Sequence, residues 1–293
     1  MDNMKTIKVQ ILNAFVDNDQ GGNPAGVVLN ADDLSNENKL EIAQKVGLSE
    51  TAFVSESKTE DFKLDFFTPS KQIAHCGHAT VATFSYLQQI GALKSSLSSK
   101  ETIEGKRNIK IVGDLAFMEQ LAPKYVDVSH KEQLILASLG LKKSDLLPNA
   151  PIKIVNTGNS FMLVPVKSKV ILQNLVPDFS LISEISGEFD LIGYYVFSTA
   201  TTKSEATTRM FAPSYGISEE AATGMAAGPL ACYLFDVLKV KKTRFHIQQG
   251  EYMKAPSPSL IMVDLSMEED NIKGLMAGGK GILQSTMEVE INL

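Results

Sequence analysis

The chain has 293 residues, 44% of them hydrophobic and 21% charged, the balance of a globular protein long enough for about two domains. Its formal net charge of -6 argues against a nucleic-acid partner or an anionic membrane surface. Two cysteines, Cys76 and Cys232, are too few for a disulfide scaffold. They suit a reducing cytosol, and a cytoplasmic location is expected, because Met1 to Val9 lacks an apolar signal core and no apolar run approaches the ~20 residues that span a bilayer.

In chain order, Ile7 to Phe15 and Ala25 to Leu29 read as strands around the turn-rich Gly21-Gly22-Asn23-Pro24. Asp32, Asp33 or Ser35 can cap a helix that carries Leu40, Ile42, Ala43 and Val46 at helical spacing and stops at Gly47. Strands follow around Thr51 to Val54 and over Phe62 to Phe67, the second with Phe62, Leu64 and Phe66 on one face. A helix from Gly77 to Ile90 is apolar most of the way round and should be enclosed. Ile103 to Ile111 and Leu115 to Leu121 read as strands, and a domain boundary is placed between residues 121 and 122. Beyond it come a helix over Lys131 to Leu139, strands at Ile152 to Asn156 and Phe161 to Val166, and short helices at Val170 to Leu175 and Phe179 to Ile185. Strands over Leu191 to Ser198 and Thr207 to Phe211 lead to a second apolar helix from Gly224, with Pro229 near its start as a kink or a tolerated first-turn proline. Phe245 to Gln249, Leu260 to Leu265 and Gly281 to Ile291 close the chain as strands, the last of which can return to the first domain. Both halves thus carry strand, Phe-x-Pro-Ser, spacer, glycine and apolar helix, with Phe67 to Gly77 spaced by 10 residues and Phe211 to Gly224 by 13, which suggests an internal duplication.

The candidate chemistry gathers at the two helix starts. A helix N-terminus offers backbone N–H groups and partial positive charge to a carboxylate or enolate, and Gly77 and Gly224 let the backbone approach a ligand or simply make tight turns into core helices. His78 is a candidate acid/base or donor, or a structural histidine. Cys76 reads as a small buried hydrophobe or as a thiolate base beside a helix N-terminus; Thr223 holds the equivalent place in the second half, where a two-thiol racemase would want a second thiol. Glu50, at the mouth of a strand, is a solvated loop residue or a desolvated general base. Glu219 and Glu220 complement a helix dipole or line a cleft. No metal is expected, because His75, Cys76 and His78 are neighbours at one turn and seldom converge on an ion without a distant ligand. The basic runs at Lys142-Lys143 and Lys239 to Lys242 read as solvated surface.

Taken together, Gly22-Asn23-Pro24-Ala25-Gly26-Val27-Val28, Ser49-Glu50-Thr51-Ala52-Phe53, Phe67-Thr68-Pro69, Cys76-Gly77-His78-Ala79-Thr80, Phe211-Ala212-Pro213 and Ala222-Thr223-Gly224 resemble the PhzF-like phenazine-biosynthesis family. The resemblance implies an α+β fold like that of diaminopimelate epimerase, in which two similar domains (here residues 1–121 and 122–293) each wrap a curved, mostly antiparallel sheet around a central helix, with the active site between them. It implies a homodimer and cofactor-free isomerase chemistry, in which a glutamate moves a proton on a small carboxylate substrate. Carried over by motif, the catalytic residues are Glu50, His78 and Glu220, and the substrate-binding residues are Cys76, Gly77, Thr223, Gly224 and Met225. Three positions depart from the family pattern: Glu220 stands for its Asp, Ala221 for its Pro and Met225 for its site hydroxyl, and methionine donates no hydrogen bond. A different or more apolar substrate is therefore expected. The alternatives are an amino-acid racemase using Cys76 and a ligand-binding protein that keeps the fold without catalysis.

Overall fold

The computed structural model describes residues 4–292; residues 1–3, on which the expectation of a polar leader-free start partly falls, and residue 293 lie outside it. The chain divides into two compact units, one made of the residues up to Glu119 together with those from Gly278 on, the other of Gln120–Ala277. Among the described residues no helix is long and apolar enough to cross a membrane.

The first unit holds β1 (Met4–Ala14), β2 (Asn23–Val28), α1 (Asn36–Val46), β3 (Thr51–Ser55), β4 (Phe62–Phe67), β5 (Gln72–Ile73), α2 (Gly77–Gln89), β6 (Leu97–Thr102), β7 (Gly105–Val112) and β8 (Leu115–Leu121). Helix α1 begins where the sequence predicts, because Ser35 accepts the Asn38 N–H and Asn38 returns a bond to the Ser35 backbone; it stops where Gly47 adopts the left-handed conformation. The strands pair in a fixed alternation. β1 runs antiparallel to β2, β2 parallel to β3, β3 antiparallel to β4, β4 parallel to β6 and β6 antiparallel to β7. Helix α2 packs on β1, β2, β3 and β7, and all but its last turn is buried. The other face of the sheet is closed by α1 through Ile42 and Ala43, with Val9, Phe53, Phe67 and Ile291.

The second unit holds β9 (Lys124–Asp127), α3 (Glu132–Ser138), β10 (Lys153–Asn156), β11 (Ser160–Pro165), α4 (Lys169–Gln173), α5 (Phe179–Glu188), β12 (Gly193–Ser198), β13 (Ala206–Ala212), β14 (Ile217–Glu220), α6 (Gly224–Asp236), β15 (Arg244–Gln249) and β16 (Ser259–Glu268). Strand β17 (Asn271–Asn292) begins here, and its part from Gly278 on belongs to the first unit, where it pairs with β1. The ladder repeats the first unit step for step. β10 and β11 are antiparallel, β11 and β12 parallel, β12 and β13 antiparallel, β13 and β15 parallel, β15 and β16 antiparallel. Helix α6 occupies the place of α2 and packs on β10, β11 and β16. It continues through Pro229, whose missing N–H leaves the Met225 carbonyl without its helical donor.

Several elements differ from the sequence reading. The strand expected from Ile103 begins at Gly105, and Ile103 is an exposed turn residue of a hairpin whose other arm is β6. The polar run Leu97 to Thr102 hides that arm, although its Lys100 is fully buried. Strand β4 is covered on both faces, so Asp65 is buried and paired with Lys39 of α1 at 2.6 Å. Strand β14 was also not foreseen.

Small residues let α2 lie close to β17. A Cβ on Gly281 would come within 2.9 Å of the Ala82 Cα, and the Ser85 hydroxyl accepts the Gly281 N–H at 2.8 Å while donating to the Asp114 carbonyl at 2.6 Å. The obstruction is backbone and cannot rotate away. Gly281→Val is expected to destabilise the protein by about 1–3 kcal/mol in urea unfolding, the usual range for overpacking a tight core. An unchanged midpoint would show that α2 can shift outward freely.

Candidate active site

In the first unit, the parallel pairing of β2 with β3 fixes Glu50 at the mouth of β3, where its carbonyl accepts the Gly26 N–H. Cys76 is the N-cap of α2 but its side chain does not cap the helix; its carbonyl instead accepts the Thr80 hydroxyl at 2.6 Å. Gly77 and His78 form the helix's first turn. Folding brings the carboxylate, the thiol and the imidazole together. His78 Nε2 faces Glu50 Oε2 at 3.3 Å, and Cys76 Sγ lies 3.5 Å from His78 Nδ1 and 4.0 Å from Nε2. Glu50, Cys76 and His78 retain only 9%, 6% and 5% of their accessible surface. Glu50 Oε2 is within ion-pair distance of the imidazole without the alignment of a hydrogen bond, and is left as a buried oxygen with no hydrogen-bond partner. Such an oxygen is costly. Burial pushes the Cys76 thiol up from its ordinary range, the Glu50 carboxylate adds to this, and the imidazole only partly opposes it. The resting group is a thiol, which removes the premise of a thiolate base lowered by the helix N-terminus.

His75 turns to other company. Its Nδ1 lies 3.1 Å from Lys100 Nζ, which also reaches the Thr80 hydroxyl at 2.5 Å and sits 4.7 Å from the centre of the Phe66 ring. Burial, with Lys100 nearby, holds His75 well below the usual histidine range. Lys100 was not flagged by the sequence, and only its fully buried position reveals it.

In the second unit, Thr223 is the N-cap of α6 and its hydroxyl donates to Glu220 Oε2 at 2.5 Å. Gln249 orders both. Its amide donates to the Glu220 carbonyl at 2.7 Å and to Thr223 Oγ1 at 3.1 Å, while its Oε1 accepts the Thr223 N–H at 3.1 Å and the Tyr195 hydroxyl at 2.9 Å. Gly224 begins the helix, its carbonyl accepting from Gln120, and Met225 is the one half-buried residue of a first turn otherwise enclosed. Glu219 is held elsewhere, in a bidentate pair with Arg209 at 2.8 Å. Gln249, which carries no motif, could not be found from sequence.

A profile of the PhzC-PhzF family, described as phenazine biosynthesis-like protein, matches residues 12–286. The chain is 32% identical over 290 residues to an uncharacterized isomerase of Clostridium acetobutylicum, covering 92% of this chain and 94% of that one. It is 31% identical over 233 residues to the trans-2,3-dihydro-3-hydroxyanthranilate isomerase of Pseudomonas aeruginosa, covering 76% and 78% of the two chains. The crystal structure of a phenazine biosynthesis protein of the PhzF family from Bacillus anthracis matches with a TM-score of 0.86 at 29% identity, over 97% of this chain and 99% of that one.

Two variants test the supports of these clusters. Gln249→Leu strips partners from the Tyr195 hydroxyl, the Thr223 N–H and the Glu220 carbonyl, and is expected to lower the unfolding free energy by about 2–4 kcal/mol. A loss below about 0.5 kcal/mol would mean that the network contributes nothing. Lys100 gives a pH signature. Burial pulls its ammonium down to about 7. Above that value the folded chain sheds the proton while the unfolded chain keeps it up to the ordinary lysine range, so stability rises with pH across the window. Between about pH 7 and about pH 8.5, below the thiol range, unfolding free energy should climb by up to about 1.4 kcal/mol per unit for this one proton. Lys100→Met should flatten that slope, and equal slopes in the two proteins would refute the assignment.

Proposed function

The chain belongs to the phenazine biosynthesis-like family and is an isomerase, and from that premise we propose that it moves a proton between two atoms of a small carboxylate substrate with Glu50 as the general base. The observation that supports this reading most is the Glu50 carboxylate oxygen, buried and without a hydrogen-bond partner, facing His78 at 3.3 Å. A carboxylate held this way is not screened by water and is ready to accept a proton from carbon.

In the proposed reaction Glu50 removes a proton from a carbon acidified by the substrate's carboxylate or by conjugation. The first turn of α2, at Gly77 and His78, presents the positive end of the helix to the oxygen on which charge develops. His78 holds the carboxylate in place and stabilises it before transfer, and Glu50 then returns the proton to a second position. Glu220, Thr223 and Gly224 are proposed as binding residues of the second unit, with Gln249 fixing their orientation. The P. aeruginosa relative's substrate, a hydroxylated cyclic amino acid by its name, is the model for the class, whereas Met225 favours an apolar group where the family presents a hydroxyl.

The test is proton exchange from D2O, followed by NMR, across a set of cyclic and open-chain unsaturated carboxylates. The wild-type chain should exchange or isomerise at least one of them. Glu50→Gln, which keeps the shape and removes the base, should slow that reaction by a factor on the order of 10²–10⁴ with an unchanged unfolding midpoint. Full-rate exchange by Glu50→Gln would eliminate Glu50 as the base.

A further inference from the structure

We propose that Glu50, Cys76 and His78 also form a binding site for a divalent transition-metal ion of the zinc type, with three protein ligands and an open fourth position. The objection raised by the sequence was that Cys76 and His78 are neighbours at one turn and lack a distant ligand. Glu50, from the mouth of β3, is that ligand. One donor atom of each of the three residues lies within 4.8 Å of the others, and all three residues are buried. In a tetrahedral zinc site, bonds of about 2.0–2.2 Å to nitrogen and oxygen and about 2.3 Å to sulfur set ligand separations of roughly 3.3–3.6 Å. His78 Nε2 and Glu50 Oε2, at 3.3 Å, already have that spacing. Cys76 Sγ lies 4.0 Å from Nε2 and 3.5 Å from Nδ1, so binding through Nε2 requires the thiol to move toward that nitrogen by a few tenths of an ångström.

Three further observations point the same way. Glu50 Oε2 is buried with no hydrogen-bond partner, so a lone pair is available to an ion. The Cys76 backbone is held by the Thr80 hydroxyl on its carbonyl, and Thr80 is held in turn by Lys100, the kind of support that fixes a metal ligand. His75, the other nearby imidazole, is engaged with Lys100 and so is not offered as a fourth ligand. One soft sulfur, one imidazole and one carboxylate suit Zn2+ or Co2+ and not Mg2+ or Ca2+. On binding, the sulfur–hydrogen bond of Cys76 is exchanged for a sulfur–metal bond, and one proton leaves to solvent. The site is no general property of this fold's helix starts, because by strand register the second unit carries Gly193, Thr223 and Met225 at the matching positions.

An ion there occupies Glu50 and His78. If Glu50 is the base, the metal-loaded protein is therefore silent in proton transfer and metal and substrate compete; that consequence rests on the proposed function, and the binding itself does not. The experiment titrates the metal-free full chain with Co2+ and then displaces it with Zn2+. One equivalent of Co2+ should bind and give the near-ultraviolet thiolate-to-cobalt absorption with the visible bands of a four-coordinate ion. Cys76→Ser should abolish the thiolate band, and Cys76→Ser and Glu50→Gln should each weaken Zn2+ binding at least about tenfold in competition with a chromophoric chelator. Cys232→Ser, which removes the thiol buried in α6, should leave the spectrum intact. No binding, binding without the thiolate band, or binding unaffected by Cys76→Ser overturns the proposal, and matched unfolding midpoints exclude misfolding as the cause. The two readings fail separately. A cobalt spectrum alongside an active metal-free Glu50→Gln sinks only the base assignment, and an inactive Glu50→Gln in a wild-type chain that binds no cobalt sinks only the metal site.

Discussion

A carboxylate, a thiol and an imidazole sit together out of water at the start of a helix that is itself enclosed, and the rest of the first unit is arranged to make that tolerable. Isolated buried polar groups are expensive. Helix α2 satisfies its own polar side chains locally: Thr80 and Thr83 donate to the carbonyls one turn back, at Cys76 and Ala79, and Ser85 bonds the Asp114 carbonyl. With those groups satisfied, the helix can be surrounded by β1, β2, β3 and β7 and the small residues Ala82 and Gly281 can meet backbone to backbone. Only Glu50 Oε2 is left without a hydrogen bond among the three clustered side chains. That atom faces the histidine.

The two units share a ladder of antiparallel, parallel, antiparallel, parallel and antiparallel pairs, with the central helix inserted at the same step. Register makes the correspondence exact enough to compare side chains. Thr51 opposes Phe67 as Tyr194 opposes Phe211, so the residue before each is Glu50 in one unit and Gly193 in the other. A side chain at Gly193 would overlap the Phe211 carbonyl, so no acid fits there. Cys76 and His78 are likewise answered by Thr223 and Met225. The duplicated frame is therefore chemically asymmetric: one copy collects a carboxylate, a thiol and an imidazole, the other an acid–hydroxyl pair ordered by a glutamine.

What could be read from the sequence follows from which signals are local. Caps and stops such as Ser35, Gly47, Gly77 and Gly224 act within one turn, and the helices they delimit were legible. Lys100 could not be read, because its polar run looks like surface and only the approach of Phe66, His75 and Thr80 from elsewhere in the chain buries it. The burial of Asp65 was unreadable for the same reason, its charge being met by Lys39 of α1 from elsewhere in the chain. At the site, each of Glu50, Cys76 and His78 stood out as a residue type, but their convergence depends on a parallel β2–β3 pairing that no local motif encodes. Glu219 and Glu220 look alike in sequence and part company in space, one to Arg209 and the other to Thr223.

The residues at the second helix start support one another. Glu220 accepts the hydroxyl of the α6 N-cap, Thr223. Gln249 restrains the stretch into the helix by binding the Glu220 carbonyl, the Thr223 N–H and the Thr223 hydroxyl at once. Gln249 is itself anchored by Tyr195 from the centre of the sheet. The acid is thus held by a frame built from β12, β15 and α6 as well as by its own strand, β14.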